Sequence, residues 1–160
     1  MSHIVSIAYQ PLGRRYTNRL GDYIREPVES ATLVVDHGID GDRKAGHSKT
    51  RQVNLLSAEW LAARAAEGYR AEPGQFGEQL IVDGLAVDTL PPGTLLAVGP
   101  QAILSITKGR TGCDRLEAAQ GKSIAALGPI GALVRVVVGG PIRVGDAVRV
   151  LEPAAETVAS

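Results

Sequence analysis

The sequence predicts a mainly β protein with a few short helices, its strands wrapped into a closed or nearly closed β-barrel. Three observations point there. Apolar residues come in short runs, glycine and proline interrupt the runs at close intervals, and the interruptions carry tight-turn chemistry. The 160 residues include 19 Gly and 9 Pro but only 1 Phe, 1 Trp and 4 Tyr, so the core is expected to be built from small aliphatic side chains. Turns such as Pro91-Pro92-Gly93, Gly99-Pro100 and Gly139-Gly140-Pro141 favour antiparallel neighbours over helical crossovers.

Strands are expected at residues 4–9, 28–35, 52–55, 79–82, 94–98, 103–107, 133–138 and 147–151. Between the third and fourth of these a helix is expected. Ser57 is its N-cap, Glu59 suits its positive first turn, Trp60, Leu61 and Ala65 form its apolar face, and Gly68 ends it. A second short helix is expected to begin at or just after Cys113 and to end at Gly121, with Leu116 and Ala119 spaced to face a core. Two stretches echo each other, Leu90 through Val98 and Ile142 through Val150; each is a Gly-ended turn followed by an apolar strand, a repeated hairpin solution. Residues 1–152 are expected to form one domain, and 153–160, rich in Ala, Glu and Pro, a loosely ordered tail.

Composition narrows the function classes. The 17 Lys and Arg balance 17 Asp and Glu, which argues against a general attraction to nucleic acid or membrane and makes any anion site a local one. The few aromatic residues do not make a stacking platform for single strands. One cysteine allows neither an internal disulfide nor a site built from several thiolates. The chain opens Met-Ser-His-Ile and nowhere reaches the roughly 18 apolar residues of a membrane span, so the expected setting is cytoplasmic.

The single cysteine sits in Lys108-Gly109-Arg110-Thr111-Gly112-Cys113-Asp114-Arg115. A lone Cys is commonly an inert buried residue. Flanking cations and a helix N-terminus instead favour a thiolate, which can attack, carry sulfur or bind a soft metal. Whether Cys113 opens on a pocket beside Arg43, Arg51 and Glu78 or is buried among aliphatics separates the two readings.

Residues 36–52 form the densest polar stretch, with His37, Asp40, Asp42, Arg43, Lys44, His47, Lys49 and Arg51 spaced by glycines. Such a loop suits a phosphate or carboxylate, held by backbone N–H groups and an Arg fork. Gly41 to Ser48 has the spacing of a phosphate-binding P-loop, but His47 stands where that motif requires Lys, and a nucleoside triphosphatase is excluded. The same loop admits a divalent metal, with His37 and His47 as candidate ligands beside Asp40 and Asp42; alternatively the two Asp residues shape the turn. In Pro73-Gly74-Gln75-Phe76-Gly77-Glu78-Gln79-Leu80, Glu78 and Gln79 could offer an acceptor and an amide to a heteroaromatic ligand, or form a plain turn. Arg14, Arg15 and Arg19 read as a solvated basic face.

In this order the pieces resemble the MOSC family, the domain at the C-terminus of molybdenum cofactor sulfurases that also occurs as small stand-alone bacterial proteins. The resemblance runs from Gly38-Ile39-Asp40-Gly41-Asp42-Arg43 through Arg51-Gln52-Val53-Asn54-Leu55-Leu56, the Pro73 to Leu80 stretch, Leu90-Pro91-Pro92-Gly93-Thr94 and the Cys113 segment to Val138-Gly139-Gly140-Pro141-Ile142-Arg143-Val144-Gly145-Asp146. The chain departs from the family pattern at Lys44, commonly His, at Gln79, commonly Asn, and at Thr111-Gly112, where Pro is frequent.

The resemblance implies a barrel with a cleft organised around the cysteine. Cys113 would ligate molybdenum of a molybdenum–pterin cofactor or carry sulfur, and Arg43, Lys44, Arg51, Gln52, Asn54 and Gln79 would line the cofactor pocket. Cys113, Glu78, Lys108 and Arg110 are the candidate catalytic residues. Three functions follow: a small-molecule reductase or sulfur- or oxo-transfer enzyme, with reduction of N-hydroxylated bases as one reaction; a non-catalytic carrier of sulfur or molybdenum cofactor using a Cys113 persulfide; or a divalent-metal lyase cleaving carbon–sulfur bonds. The expected partners are a small-molecule substrate or the cofactor, a cysteine desulfurase or redox partner, and a second copy in a homodimer, with neither nucleic acid nor membrane.

Overall fold

The computed structural model describes residues 1–13 and 25–151. The Arg14, Arg15 and Arg19 cluster and the tail expected at 153–160 lie outside the described residues. Among the described residues, eleven strands run in the order β1 (Ser2–Tyr9), β2 (Glu26–Val28), β3 (Ser30–Val34), β4 (Gly38–Ile39), β5 (Val53–Ser57), β6 (Leu80–Val82), β7 (Leu95–Val98), β8 (Ala102–Gly109), β9 (Ala132–Val138), β10 (Gly140–Arg143) and β11 (Ala147–Val150). Helix α1 (Ala58–Ala66) follows β5, and α2 (Asp114–Gln120) lies between β8 and β9.

Seven strands close on themselves in the order β11-β7-β8-β9-β5-β6-β1, with β1 returning to β11 through the pairs Ser2 with Val148 and His3 with Ala147. The molecule is therefore a closed, mixed β-barrel, and closure leaves the ring no free edge. One pair, β5 with β6, is parallel. The turn chemistry favours antiparallel neighbours, and β7 and β8, joined through Gly99-Pro100, are antiparallel; between β5 and β6 α1 supplies a crossover instead, its N-cap Ser57 extended and accepting the Trp60 N–H at 3.3 Å.

The residues of that parallel pair show why it is there. Leu55, Leu56, Leu80, Ile81 and Val82 are all buried, a continuous apolar run of the kind a strand covered on both faces requires. Val53, Leu55, Leu80 and Val82 point into the barrel, among Ile4, Ile7, Leu96, Leu104, Ile106, Val134 and Val136. Leu56 and Ile81 point outward, into a second core with Leu61 of α1, Leu116 and Ala119 of α2, Phe76, Leu127 and Ile130. Here the expected apolar face of α2 is observed, and it clamps that helix to the barrel wall.

The strand expected at 28–35 is divided at Glu29. β2 pairs with β1 beside the ring, whereas β3 joins β10 and β4 in a separate three-stranded sheet. Pro27 and Pro141, which lack a backbone donor, lie in the edge strands β2 and β10. The Gly139-Gly140-Pro141 stretch, read as a turn, leads directly into β10. Its first glycine serves close approach, since a Cβ on Gly139 would lie 2.6 Å from the Leu33 carbonyl oxygen. The strand at Gly38–Ile39 was not expected from the sequence.

Candidate functional site

Cys113 follows the loop that leaves β8. Arg110 N–H donates to the Gly131 carbonyl at 3.1 Å and its carbonyl accepts Ile130 N–H at 2.8 Å, so the loop is tied to the chain entering β9. Gly131, with φ +72°, lies so close beneath Leu55 that a Cβ would fall on the Leu55 carbonyl oxygen. Cys113 is the extended N-cap residue of α2, its side chain makes no capping hydrogen bond, and it is exposed. The thiol opens on a cleft of about 450 Å³ rather than being packed among aliphatics.

The walls of this cleft come from four distant segments. Lys44, His47, Ser48 and Arg51 belong to the basic loop, Gln52 and Asn54 to the entry of β5, Gln79 precedes β6, and Arg25 precedes β2. Arg115, in the first turn of α2, completes the lining beside Cys113. Among the described residues, no carboxylate lines it. Arg25, Lys44, Arg51 and Arg115 line it together, which suits an anionic ligand.

The nearby carboxylates are occupied by the fold. Asp42, 3% exposed, accepts Gln10 N–H at 3.2 Å and Lys44 N–H at 3.1 Å on Oδ1, and Gln79 Nε2 at 2.6 Å on Oδ2. Gln79 in turn accepts Asn54 N–H at 2.7 Å, while Asn54 Nδ2 donates to the Gly77 carbonyl at 3.2 Å. Gln52 bridges Ser48 and β9, donating to the Ser48 carbonyl at 3.1 Å and accepting Val136 N–H at 2.9 Å. These three amides therefore set the shape of the cleft floor. Ser48 Oγ accepts Thr50 and Arg51 N–H at 3.1 and 3.2 Å, and His47 Nε2 donates to the Arg43 carbonyl at 3.0 Å, which fixes the loop that carries Arg51.

Glu78 is placed differently from the sequence expectation. It is 1% exposed and turned inward, its carboxylate accepting Gly74 N–H at 2.6 Å and Phe76 N–H at 3.0 Å. Burial pushes its carboxyl above the usual carboxylate range, opposed by those N–H donors and by the charge of Arg110. Glu78 thus closes the 74–78 turn, and Arg110, also buried, faces it rather than the cleft. Lys108 is exposed on β8, and neither it nor Arg43 lines the cleft.

The divalent-metal alternative at His37 and His47 is not assembled. Among the described residues no three His, Cys, Asp or Glu side chains converge as a metal site. Asp42 is held by three donors, as the turn-shaping alternative expects, His37 packs against Gly46, and Asp40 lies in another recess. That recess, of about 550 Å³, is the larger one; it borders the three-stranded sheet, mixes Arg143 with Asp40 and Asp146, and contains no thiol.

Three cleft residues, Arg25, Ser48 and Arg115, escaped the sequence reading. Arg115 stands in the quoted Cys113 segment, two positions after the thiol, and that spacing was its signal. Arg25 has no local signal: it reaches the cleft because its backbone abuts Gly74, whose Cβ would lie 2.4 Å from the Arg25 carbonyl oxygen.

A closed mixed barrel with a cysteine on a cation-lined cleft defines the class of protein. The MOSC domain family matches residues 42–149, and the chain belongs to that family. Among solved structures it is similar to YiiM from Geobacillus stearothermophilus, with 21% identity and a TM-score of 0.72 over 97% of this chain and 77% of that one. It is also similar to the YUAD protein from Bacillus subtilis, with 19% identity and a TM-score of 0.73 over 96% of this chain and 98% of that one. A third is YiiM from Escherichia coli, with 20% identity and a TM-score of 0.67 over 95% of this chain and 71% of that one. At these identities the likeness is one of fold. No curated protein sequence matches the chain. Among the described residues, no helix is long and apolar enough to cross a membrane.

Proposed function

We propose that the Cys113 cleft holds a molybdenum–pterin cofactor and that the protein reduces small N-hydroxylated bases. The observation that carries this reading is the exposed thiol on a cleft lined by Arg25, Lys44, Arg51 and Arg115, with no carboxylate lining it among the described residues. The donor set fits such a group: a single thiolate is a soft ligand suited to a soft metal, and guanidinium and ammonium groups suit the phosphate of the pterin. A cleft of about 450 Å³ is in the range of small-molecule sites. When bound, the cofactor supplies a two-electron oxo-transfer centre.

The chain's own residues bind and orient. Cys113 is the metal ligand, and Lys44 and Arg51, from the loop braced by Asp42 and Ser48, hold the phosphate. Asn54 is fixed through its Nδ2 and through its backbone N–H, and among the described residues its Oδ1 has no donor, so it can accept from a heterocycle N–H. In the net reaction the N–O bond of a hydroxylamino base breaks with uptake of two electrons and two protons, leaving an amine and water. A separate redox partner provides the electrons.

The test is purification from a cofactor-producing host, measurement of molybdenum and pterin, and assay of hydroxylaminopurine reduction with an electron donor. Molybdenum near one per chain with turnover is the expected result. Its absence under conditions that load a control molybdoenzyme defeats the reading. The exposure of the thiol also favours a second reading, a sulfur carrier using a Cys113 persulfide. Mass spectrometry after incubation with cysteine and a cysteine desulfurase would then find one added sulfur on Cys113, and none if the reading is wrong.

A further inference from the structure

Helix α2 carries the thiol at its N-cap, yet its seven residues are far fewer than a helix needs to be stable by itself. Its direction, and with it the place of Cys113, is set by what holds its two ends. At the C-terminal end the holder is Gln120, which is 5% exposed. Its Oε1 accepts Arg70 N–H at 2.7 Å, and its Nε2 donates to the Arg70 carbonyl at 2.8 Å and the Gln75 carbonyl at 3.3 Å. The side-chain amide thus pairs with both backbone groups of Arg70, as a neighbouring strand would, and Arg70 Nη1 returns a bond to the Ala119 carbonyl at 3.1 Å. Through Gln75 the clasp reaches the 74–78 turn, which leads into Gln79 on the cleft floor.

At the other end the chain is held by packing. A Cβ on Gly112 would lie 2.3 Å from Ile124 Cδ1 and 3.2 Å from Ile130 Cδ1, so the backbone entering Cys113 rests on these two side chains with no room for a methyl group. Ile130 belongs to the outer core and Ile124 packs against that core. Ile124 N–H donates to Glu117 of α2 at 3.1 Å, so the surface that Gly112 meets is itself tied to the helix.

We propose that Gly112 and Gln120 are positioning residues for the thiol, holding Cys113 on the cleft beside Arg51 and Arg115 although neither lines it. The role is the same whether the thiol binds a metal or carries sulfur, so it fails or stands separately from the reductase reading.

The experiment alkylates Cys113, the one thiol of the chain, with iodoacetate and with iodoacetamide. Each reaction forms a sulfur–carbon bond and expels iodide. The thiolate fraction is common to both reagents, so the ratio of the two rates reads the charge around the sulfur, and the same ratio in urea-unfolded protein is the reference. In the folded wild type the anionic reagent is expected to be favoured over that reference by about threefold or more at low salt, and less as salt rises. Gly112→Ala and Gln120→Met are each expected to remove at least about half of this preference, and Gln120→Asn to leave an intermediate value. Ile124→Val deletes the Cδ1 that the added methyl group meets; alone it should leave the ratio unchanged, and combined with Gly112→Ala it should restore it. A merely structural role would lower the urea midpoint and leave the ratio of the folded protein where it was. A wild-type ratio equal to the reference overturns the proposal. A ratio unmoved in folded Gly112→Ala, or not restored by Ile124→Val, overturns it for Gly112, and one unmoved in folded Gln120→Met and Gln120→Asn overturns it for Gln120.

Discussion

At the residue scale the site is made by a few side chains whose polar atoms are committed to the fold. Asp42 is the clearest, because it gathers Gln10, Lys44 and Gln79 and so ties the end of β1, the basic loop and the entry of β6. Asp42→Asn keeps the volume but turns one acceptor into a donor facing a donor. It is expected to lose about 1–3 kcal/mol of stability by urea unfolding. Cys113→Ser, by contrast, changes an exposed atom and should leave unfolding near the wild-type midpoint, while bound molybdenum in protein from a cofactor-producing host falls by at least about tenfold. Asp42 was legible as a turn-shaping residue because Asp in a Gly-rich loop bonds nearby N–H groups. Glu78 was not legible as a buried clamp, since nothing in Gly77-Glu78-Gln79 reveals that the 74–78 turn folds over its own carboxylate.

At the scale of elements, two units position the cleft. Helix α2 is held by Leu116 and Ala119 in the outer core, and the thiol at its N-cap goes where that packing puts it. Leu116→Ala leaves a cavity between α2 and the barrel wall and should cost about 2–5 kcal/mol, seen as a lower denaturant midpoint. The 74–78 turn gives the protein a pH dependence of definite sign. Glu78 has a raised folded pKa, so between the unfolded and folded values the native state binds more protons than the unfolded one, and stability falls as pH rises through that window. Glu78→Gln removes this titration. Unfolding measured from about pH 4 to about pH 8 should therefore show the wild type losing stability with rising pH relative to the variant. A difference that grew in the wild type's favour as pH rose would contradict the sign.

At the scale of the whole molecule, the barrel brings segments far apart in sequence to one opening. Arg25, Lys44, Asn54, Gln79 and Arg115 share a wall because β5 lies between β9 and β6 in the ring. Electrostatics divide at this scale too. Binding of inorganic phosphate is expected to weaken strongly between about 0.05 M and about 0.5 M salt, because Arg51 and Arg115 of the cleft are exposed. Over the same range the unfolding midpoint should move little, because the net charge is zero and the described ion pairs are few and largely exposed. Calorimetry and urea unfolding at matched salt check the two halves together.

The sequence by itself determined the fold class, most of the strands, both helices with their caps, and the family. Those features are local: periodicity, turn chemistry and capping act within about ten residues, so composition and spacing carry them. Only the tertiary structure decided that β5 and β6 run parallel, that the 28–35 run divides between two sheets, and which polar residues face the cleft. A parallel pair depends on where a crossover helix finds a covering surface, and an edge strand depends on which neighbour closes the ring. The side chains of Glu78 and Arg110 turn inward while that of Arg115 lines the cleft, for a reason no spacing encodes: each direction is set by residues that become neighbours only after the barrel has closed.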